Sequence, residues 1–236
     1  MFECQKLIPQ IDVLKEVFLS GDSRILRETA SRLYYSTGGI KERNVVSFGE
    51  NLSELFGTKA KKYGRFSFHT TPNWSARQAN FIDFNLAGAV EVRGSYENAL
   101  KHLFTDVFLR RLFDVFGLLL KVQKAKDTIG KIWKKMGTIQ SKLPALFVLL
   151  RMVYVVSRDF LDFLGHHFTF VVIEPLVKTL LKNLSTVATF QQTFKSLNEF
   201  QTRLFSGVFL DKDSTPTLRQ VLYMGKCIVS FYKIVL

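Results

Sequence analysis

The residues best suited to metal binding or proton transfer are the histidines His69, His102, His166 and His167. Adjacent His166 and His167 point to different sides of a helix, whereas zinc ligands on one helix need steps of three or four residues. Half-buried packing is the simpler reading of these rings, and no metal or cofactor is expected. Asp159 and Asp162 stand one helical turn apart, but beside Arg158. That spacing suits a surface ion pair better than a general acid and base. The sequence contains no GxGxxG, no glycine-rich GK[ST] loop after Gly38-Gly39, and no GxSxG. Catalysis and a small-molecule substrate are therefore not expected.

What remains is charge. Lys121, Lys124, Lys126, Lys131, Lys134, Lys135 and Lys142 follow one another with Asp127 as the only acid between them. A solvated helix face is the plain reading of such a run. The functional reading is attraction to a phosphate backbone, an anionic membrane or an acidic protein. Nucleic-acid readers bring Arg and exposed aromatics to grooves and bases. Here Lys dominates and the aromatics follow core periodicity, so an acidic protein fits at least as well and nucleic acid ranks below it.

These residues must be held by helices. Ile11, Leu14 and Phe18 predict a helix over 8–19, with a second from about Arg24 to Tyr35 after the Asp22 or Ser23 cap. Val45, Phe48, Leu52, Leu55 and Phe56 predict another over 44–56. Residues 57–80, with Lys59, Lys61, Lys62, Arg65 and Arg77 around Pro72, read as a long basic loop. Residues 84–92 alternate loosely and predict one short extended element. From Asn98, Leu109, Leu112, Phe113, Phe116, Leu119, Leu120, Ile129, Ile132 and Trp133 recur at helical steps, and Gly137 and Pro144 bracket the end of that helix. A second apolar helix begins near Pro144, Glu174-Pro175 marks a kink or junction, and further helices cover Phe190 to Val208 and Leu218 to Leu236. The expected fold is an all-α bundle.

The whole chain has 236 residues, 33 Lys+Arg against 20 Asp+Glu, a formal charge of +13, and 23 Phe. Its mean hydropathy is +0.10. That is enough to bury a core, and too apolar for a disordered basic tail. Cys4 and Cys227 make no disulfide framework and suggest a reducing compartment. The apolar run from Leu143 is broken by Arg151, short of the roughly 20 residues a spanning helix needs. A peripheral membrane protein using the lysine face ranks third, after the nucleic-acid module.

From Phe104 the sequence reads FTDVFLRRLFDVFGLLLKVQKAKDTIGKIWKKM. This resembles the second conserved domain (GRIP2) of γ-tubulin complex components, whose pattern is Phe-Thr followed by Y-x3-F-x2-LL-x-V-x6-L-x3-W. Phe104-Thr105, Phe116, Leu119-Leu120, Val122, Ile129 and Trp133 fall in step, and Leu112 replaces the Tyr. Leu164 to Glu174 resembles the family's L-x-Y-Y-x3-V-[IL]-E, with His166 and His167 at the Tyr positions. Leu197, Phe200 and Gln201 stand where the family has H-x2-[FY]-L, so its His is lost. Phe18 to Asp22, 44–56 and Phe84 to Val92 resemble upstream segments, the last with Asn98-Ala99-Leu100 in place of Trp-Pro-Leu. The basic loop and the LL-x-V form look most like the component 4, 5 and 6 branch.

The resemblance implies a single helical domain over residues 1–236, with possible sub-bundles 1–97 and 98–236, and no preceding GRIP1 domain. It implies a non-enzymatic scaffold that binds γ-tubulin and other complex components and supports microtubule nucleation. The expected location is the cytoplasm, at a microtubule-organising centre such as a centrosome or spindle pole. Candidate γ-tubulin contacts are Lys101, His102, Asp106, Arg110 and Arg111, since Arg anchors interfaces more often than Lys. Lys59, Lys61, Lys62, Arg65, Lys124, Lys131, Lys134 and Lys135 form a second basic set. Phe104, Thr105, Phe116, Leu119, Leu120, Trp133, Glu174, Phe190, Phe200 and Leu204 are expected as motif positions in the core.

Overall fold

The computed structural model describes residues 7–19, 23–33, 65–70, 86–96, 99–142, 144–187 and 189–235. The predicted helix over 44–56, Cys4 and most of the predicted loop lie outside them. The chain forms an all-α bundle carrying one two-stranded antiparallel sheet. In order, the elements are α1 (Leu7–Leu14), the π-helical segment π1 (Lys15–Leu19), α2 (Ser23–Leu33), β1 (Arg65–Thr70), α3 (Leu86–Ala89) and β2 (Val90–Ser95). There follow α4 (Ala99–Leu103), α5 (Asp106–Lys142), α6 (Pro144–His166), π2 (His167–Ile173), α7 (Glu174–Thr186), α8 (Phe190–Gly207) and α9 (Thr215–Val235).

The axis of the fold is α5, 37 residues and therefore about 55 Å long. It is apolar on several sides, as a central helix must be. Leu109, Leu112, Phe113, Phe116, Leu119, Leu120, Ile129 and Ile132 are all buried. α2, π1, α3, β2, α6, α8 and α9 pack against it. Phe18 of π1 meets Phe113 and Phe116 edge-on at 6.3 and 6.5 Å, and Phe113 stacks on Phe116 at 5.8 Å. Burying each such side chain stabilises the fold by roughly 1.5–3 kcal/mol. Gly137 does not end α5, which runs on to Lys142. An isolated glycine costs an interior helix only about 1 kcal/mol.

The extended element sits slightly later than expected. Residues 86–89 form α3, and β2 follows at 90–95. Its partner β1 lies inside the segment read as loop, paired from Arg65↔Ser95 to Thr70↔Val90. Val90, Val92 and Phe68 face inward while His69, Glu91 and Arg93 face water, the alternation of a half-buried sheet. Phe68 packs on Phe113 at 6.0 Å. Gly94 is required there: a Cβ would run into the Tyr96 ring and come within 2.7 Å of Leu109.

α6, π2 and α7 form one continuous rod, with His166 and Glu174 both in right-handed helical conformation. The buried positions Leu161, Leu164, Phe168, Val172, Ile173, Val177, Leu180 and Leu184 advance by three or four except at the adjacent pair Val172 and Ile173, where the buried stripe shifts by one residue. That shift falls in the widened turn of π2. The Glu174 N–H donates to the Thr169 carbonyl, five residues back, and Pro175 offers no N–H. Glu174-Pro175 is thus a junction within the rod. α8 starts on a Thr189 cap whose hydroxyl accepts from Gln192 N at 3.3 Å. It ends in a Schellman turn, where Leu210 N–H donates to the Phe205 carbonyl at 2.8 Å. Phe209 takes the left-handed conformation there (φ 63°) and stacks on His167. Among the described residues no helix is long and apolar enough to cross a membrane.

Candidate functional site

The candidate contacts gather at the corner where α4 hands over to α5. Phe104 is the wedge: it is buried, with its ring 5.0 Å from Tyr96 and 5.6 Å from Phe108. Thr105 then caps α5, its hydroxyl accepting from Phe108 N at 3.2 Å. Asp106 opens the first turn, where a carboxylate suits the helix dipole. Thr105, expected in the core, is exposed because a cap stands outside the helix it starts.

This geometry leaves Lys101, His102, Asp106, Val107 and Arg110 exposed. Asp106, Val107 and Arg110 line a cleft of about 240 Å³ against Gly88 and Val90 to Val92. Glu91 on the strand receives Arg93 at 3.1 Å. That hydrogen bond, with the charges of Arg93, His69 and Arg110, holds its carboxyl below the usual range. Val107 is 65% exposed among these charges. An apolar centre with a ring of both signs is the anatomy of a protein-binding patch, and it offers no nucleophile and base in contact. Sequence reasoning missed Val107, Glu91 and Arg93. Val107 was detectable as an apolar residue off the core stripe; the other two needed the strand pairing.

Arg111 turns away from this patch. Its Nη1 donates to Gln201 Oε1 at 3.4 Å, and its guanidinium lies 5.5 Å from the Phe205 ring centre. Gln201 is buried and donates in turn to the Phe108 carbonyl at 3.2 Å. Arg111 is therefore a strut between α5 and α8. Asp114, half-buried one turn on, has its carboxyl pushed up by burial and partly pulled back by Arg110 and Arg111.

The second basic set does not form one face. Lys124 is buried, contrary to the reading as surface charge, because α5 is covered on that side too. Lys126 pairs with Asp162 at 3.0 Å. Lys131 and Lys134 are exposed. Lys135 lies on α5 and Arg65 begins β1, with side chains outside the described residues, as are Lys59, Lys61 and Lys62 entirely. Asp159 and Asp162 do flank Arg158, at 3.9 and 3.6 Å, as the ion-pair reading expects.

Of the motif positions, Phe104, Phe116, Leu119, Leu120, Phe200 and Leu204 are buried. Trp133 is not core. It is 49% exposed and stacks on Tyr154 at 4.9 Å, because α6 covers only one side of it. Phe190 is also exposed, being the first residue of α8, and Glu174 is half-buried. Among the described residues no group of three metal-binding side chains gathers.

No curated protein matches the chain. A family model does: gamma tubulin complex component C-terminal, over residues 95–236, from the end of β2 through α9.

Proposed function

Because the chain belongs to the gamma tubulin complex component family, through that family's C-terminal domain, we propose that it is a scaffold subunit that binds γ-tubulin through the α4–α5 corner. The observation that carries this reading is the patch itself. Phe104 and Thr105 make the corner, Lys101 and His102 are exposed before it, and Asp106 and Arg110 share a cleft with exposed Val107 after it. A charge of +13 speeds encounter with an acidic tubulin. In this reading the subunit joins other complex components, supports microtubule nucleation and works at a microtubule-organising centre. Membership of the component 4, 5 and 6 branch belongs to the same proposal. The nucleic-acid reading has lost part of its footing, since Lys124 is buried and Lys126 is paired.

The test is capture of γ-tubulin by the immobilised chain at about 0.15 M ionic strength, where long-range attraction is largely screened. Plain DNA and αβ-tubulin compete. Capture is expected to survive both, and to fall about tenfold, roughly 1.4 kcal/mol, in Lys101→Glu/Arg110→Glu with an unchanged circular dichroism spectrum. Displacement by DNA would hand the chain to the basic-module reading instead.

A further inference from the structure

α6 is apolar on two sides, and the core explains only one of them. Leu150, Tyr154, Leu161 and Leu164 are buried. On the opposite side Leu149, Met152, Val156 and Phe163 are 60%, 64%, 67% and 69% exposed, with Val148, Val153 and Val155 exposed beside them. At ordinary side-chain areas these residues leave roughly 700 Å² of apolar surface open, beyond the roughly 300–600 Å² of the largest patch on a typical monomer. The exposed charges of α6 are Arg151, Arg158, Asp159 and Asp162, two of each sign.

We infer that this ridge is the contact between two copies of the chain, set antiparallel about a two-fold axis at Val156. Three observations select a second copy. The first is area. A stable interface takes about 800 Å² from each partner, which the open apolar surface and its charged edge supply without any other element. The second is spacing. Leu149, Val156 and Phe163 are seven residues apart, so the ridge matches its own reverse. About that axis Val156 meets Val156, and Leu149 of each copy meets Phe163 of the other, as a closed two-fold contact requires. The third is charge. The face carries no excess of one sign that would favour an acidic or a basic partner. Asp162 is held by Lys126 at 3.0 Å and Arg158 at 3.6 Å, whereas Asp159 has Arg158 at 3.9 Å and room for a second cation. Arg151 is in no ion pair among the described residues. The antiparallel register brings Arg151 of each copy within two residues, about 3 Å along the axis, of Asp159 of the other. A parallel copy would set Arg151 on Arg151 and Asp159 on Asp159. A bilayer would draw Asp159, central on the ridge, into hydrocarbon. The contact is separate from the α4–α5 corner and goes beyond γ-tubulin binding.

The test is sedimentation of the full chain at about 0.15 M ionic strength, where repulsion between two chains of charge +13 is screened beyond roughly 8 Å. The chain is expected to be monomeric at about 0.1 μM and dimeric at about 10 μM, as suits a contact at the lower end of specific interfaces. Val156→Glu/Phe163→Glu changes two exposed positions, so the fold stands, checked by circular dichroism. It should weaken the dimer at least tenfold while γ-tubulin capture is retained. Oxidation by oxidised glutathione reads the orientation. In a Cys4→Ser/Cys227→Ser background, Val156→Cys is expected to lock a covalent dimer, because the two copies of that residue meet at the axis. Leu149→Cys is expected not to link to itself, since the antiparallel register sets its two copies about 21 Å apart. A chain that stays monomeric at about 100 μM overturns the inference. So does a dimer that Val156→Glu/Phe163→Glu leaves intact, or Leu149→Cys linking to itself as readily as Val156→Cys. Loss of γ-tubulin capture in the first variant, or flotation of the monomer with phosphatidylserine vesicles that this variant abolishes, overturns it as well.

Discussion

Arg110 and Arg111 are neighbours of identical type with different work. One helical step of about 100° sends Arg110 to the cleft beside Asp106 and Arg111 to Gln201 of α8. Both reach Asp114, whose carboxyl burial pushes up and whose two arginines pull it partly down. Burial prevails, so ionising Asp114 costs the folded state. Its contribution to stability is complete below the ordinary carboxylate range and is lost as pH rises through the raised value. Asp114→Asn is therefore expected to raise the melting temperature near pH 7 and to leave it unchanged near pH 3, read by paired thermal melts. A variant less stable than the parent at neutral pH would show that the two arginines outweigh burial. The sequence marked 104–105 through the Phe-Thr of the family pattern, but it read Thr105 as core where the structure makes it the cap of α5. It could not separate Arg110 from Arg111, since that depends on where α8 lies, 90 residues away. Trp133 failed for a related reason: periodicity places a residue on a stripe, but not whether a neighbour is long enough to cover it.

At the scale of elements, the helices were legible because each repeats its apolar residues locally. β1 was not. Its segment has the Lys, Ser and Pro content of a loop, and it becomes a strand by pairing with β2 and by laying Phe68 on Phe113. Strand formation depends on such distant partners more than helix formation does. An isolated two-stranded sheet is marginal in water, so this one relies on α5. Gly94 is the point of closest approach, between Tyr96 and Leu109. Gly94→Ala is expected to cost about 1–3 kcal/mol in denaturant unfolding, the usual effect of overpacking. A loss below about 0.5 kcal/mol would mean the two-stranded sheet can lift away from α5 without penalty.

For the whole molecule, the question is whether the family-matched part stands alone. Residues 95–236 carry the match, yet one hydrophobic cluster runs from Leu7 to Ile228. Phe18 and Phe68 close over Phe113, and α2 packs along α5. Expressing residues 95–236 without the preceding segment would uncover those aromatic rings. The fragment is expected to bind a hydrophobic dye and to lose the cooperative thermal transition of the full chain. A sharp transition in the fragment would show that the first 94 residues are an addition to a finished core. The rod of α6, π2 and α7 has its own arithmetic. In a regular helix, losing one residue swings everything beyond it by about 100° and turns the apolar side outward. Here Val172 and Ile173 are buried side by side at the end of the widened turn, one residue more than a regular stripe needs. Shortening that stretch by one would tighten the turn to an ordinary one and still leave Val177, Leu180 and Leu184 pointing inward. The rod thus has one place where its reading frame can slip by a residue without turning its apolar side away from the bundle.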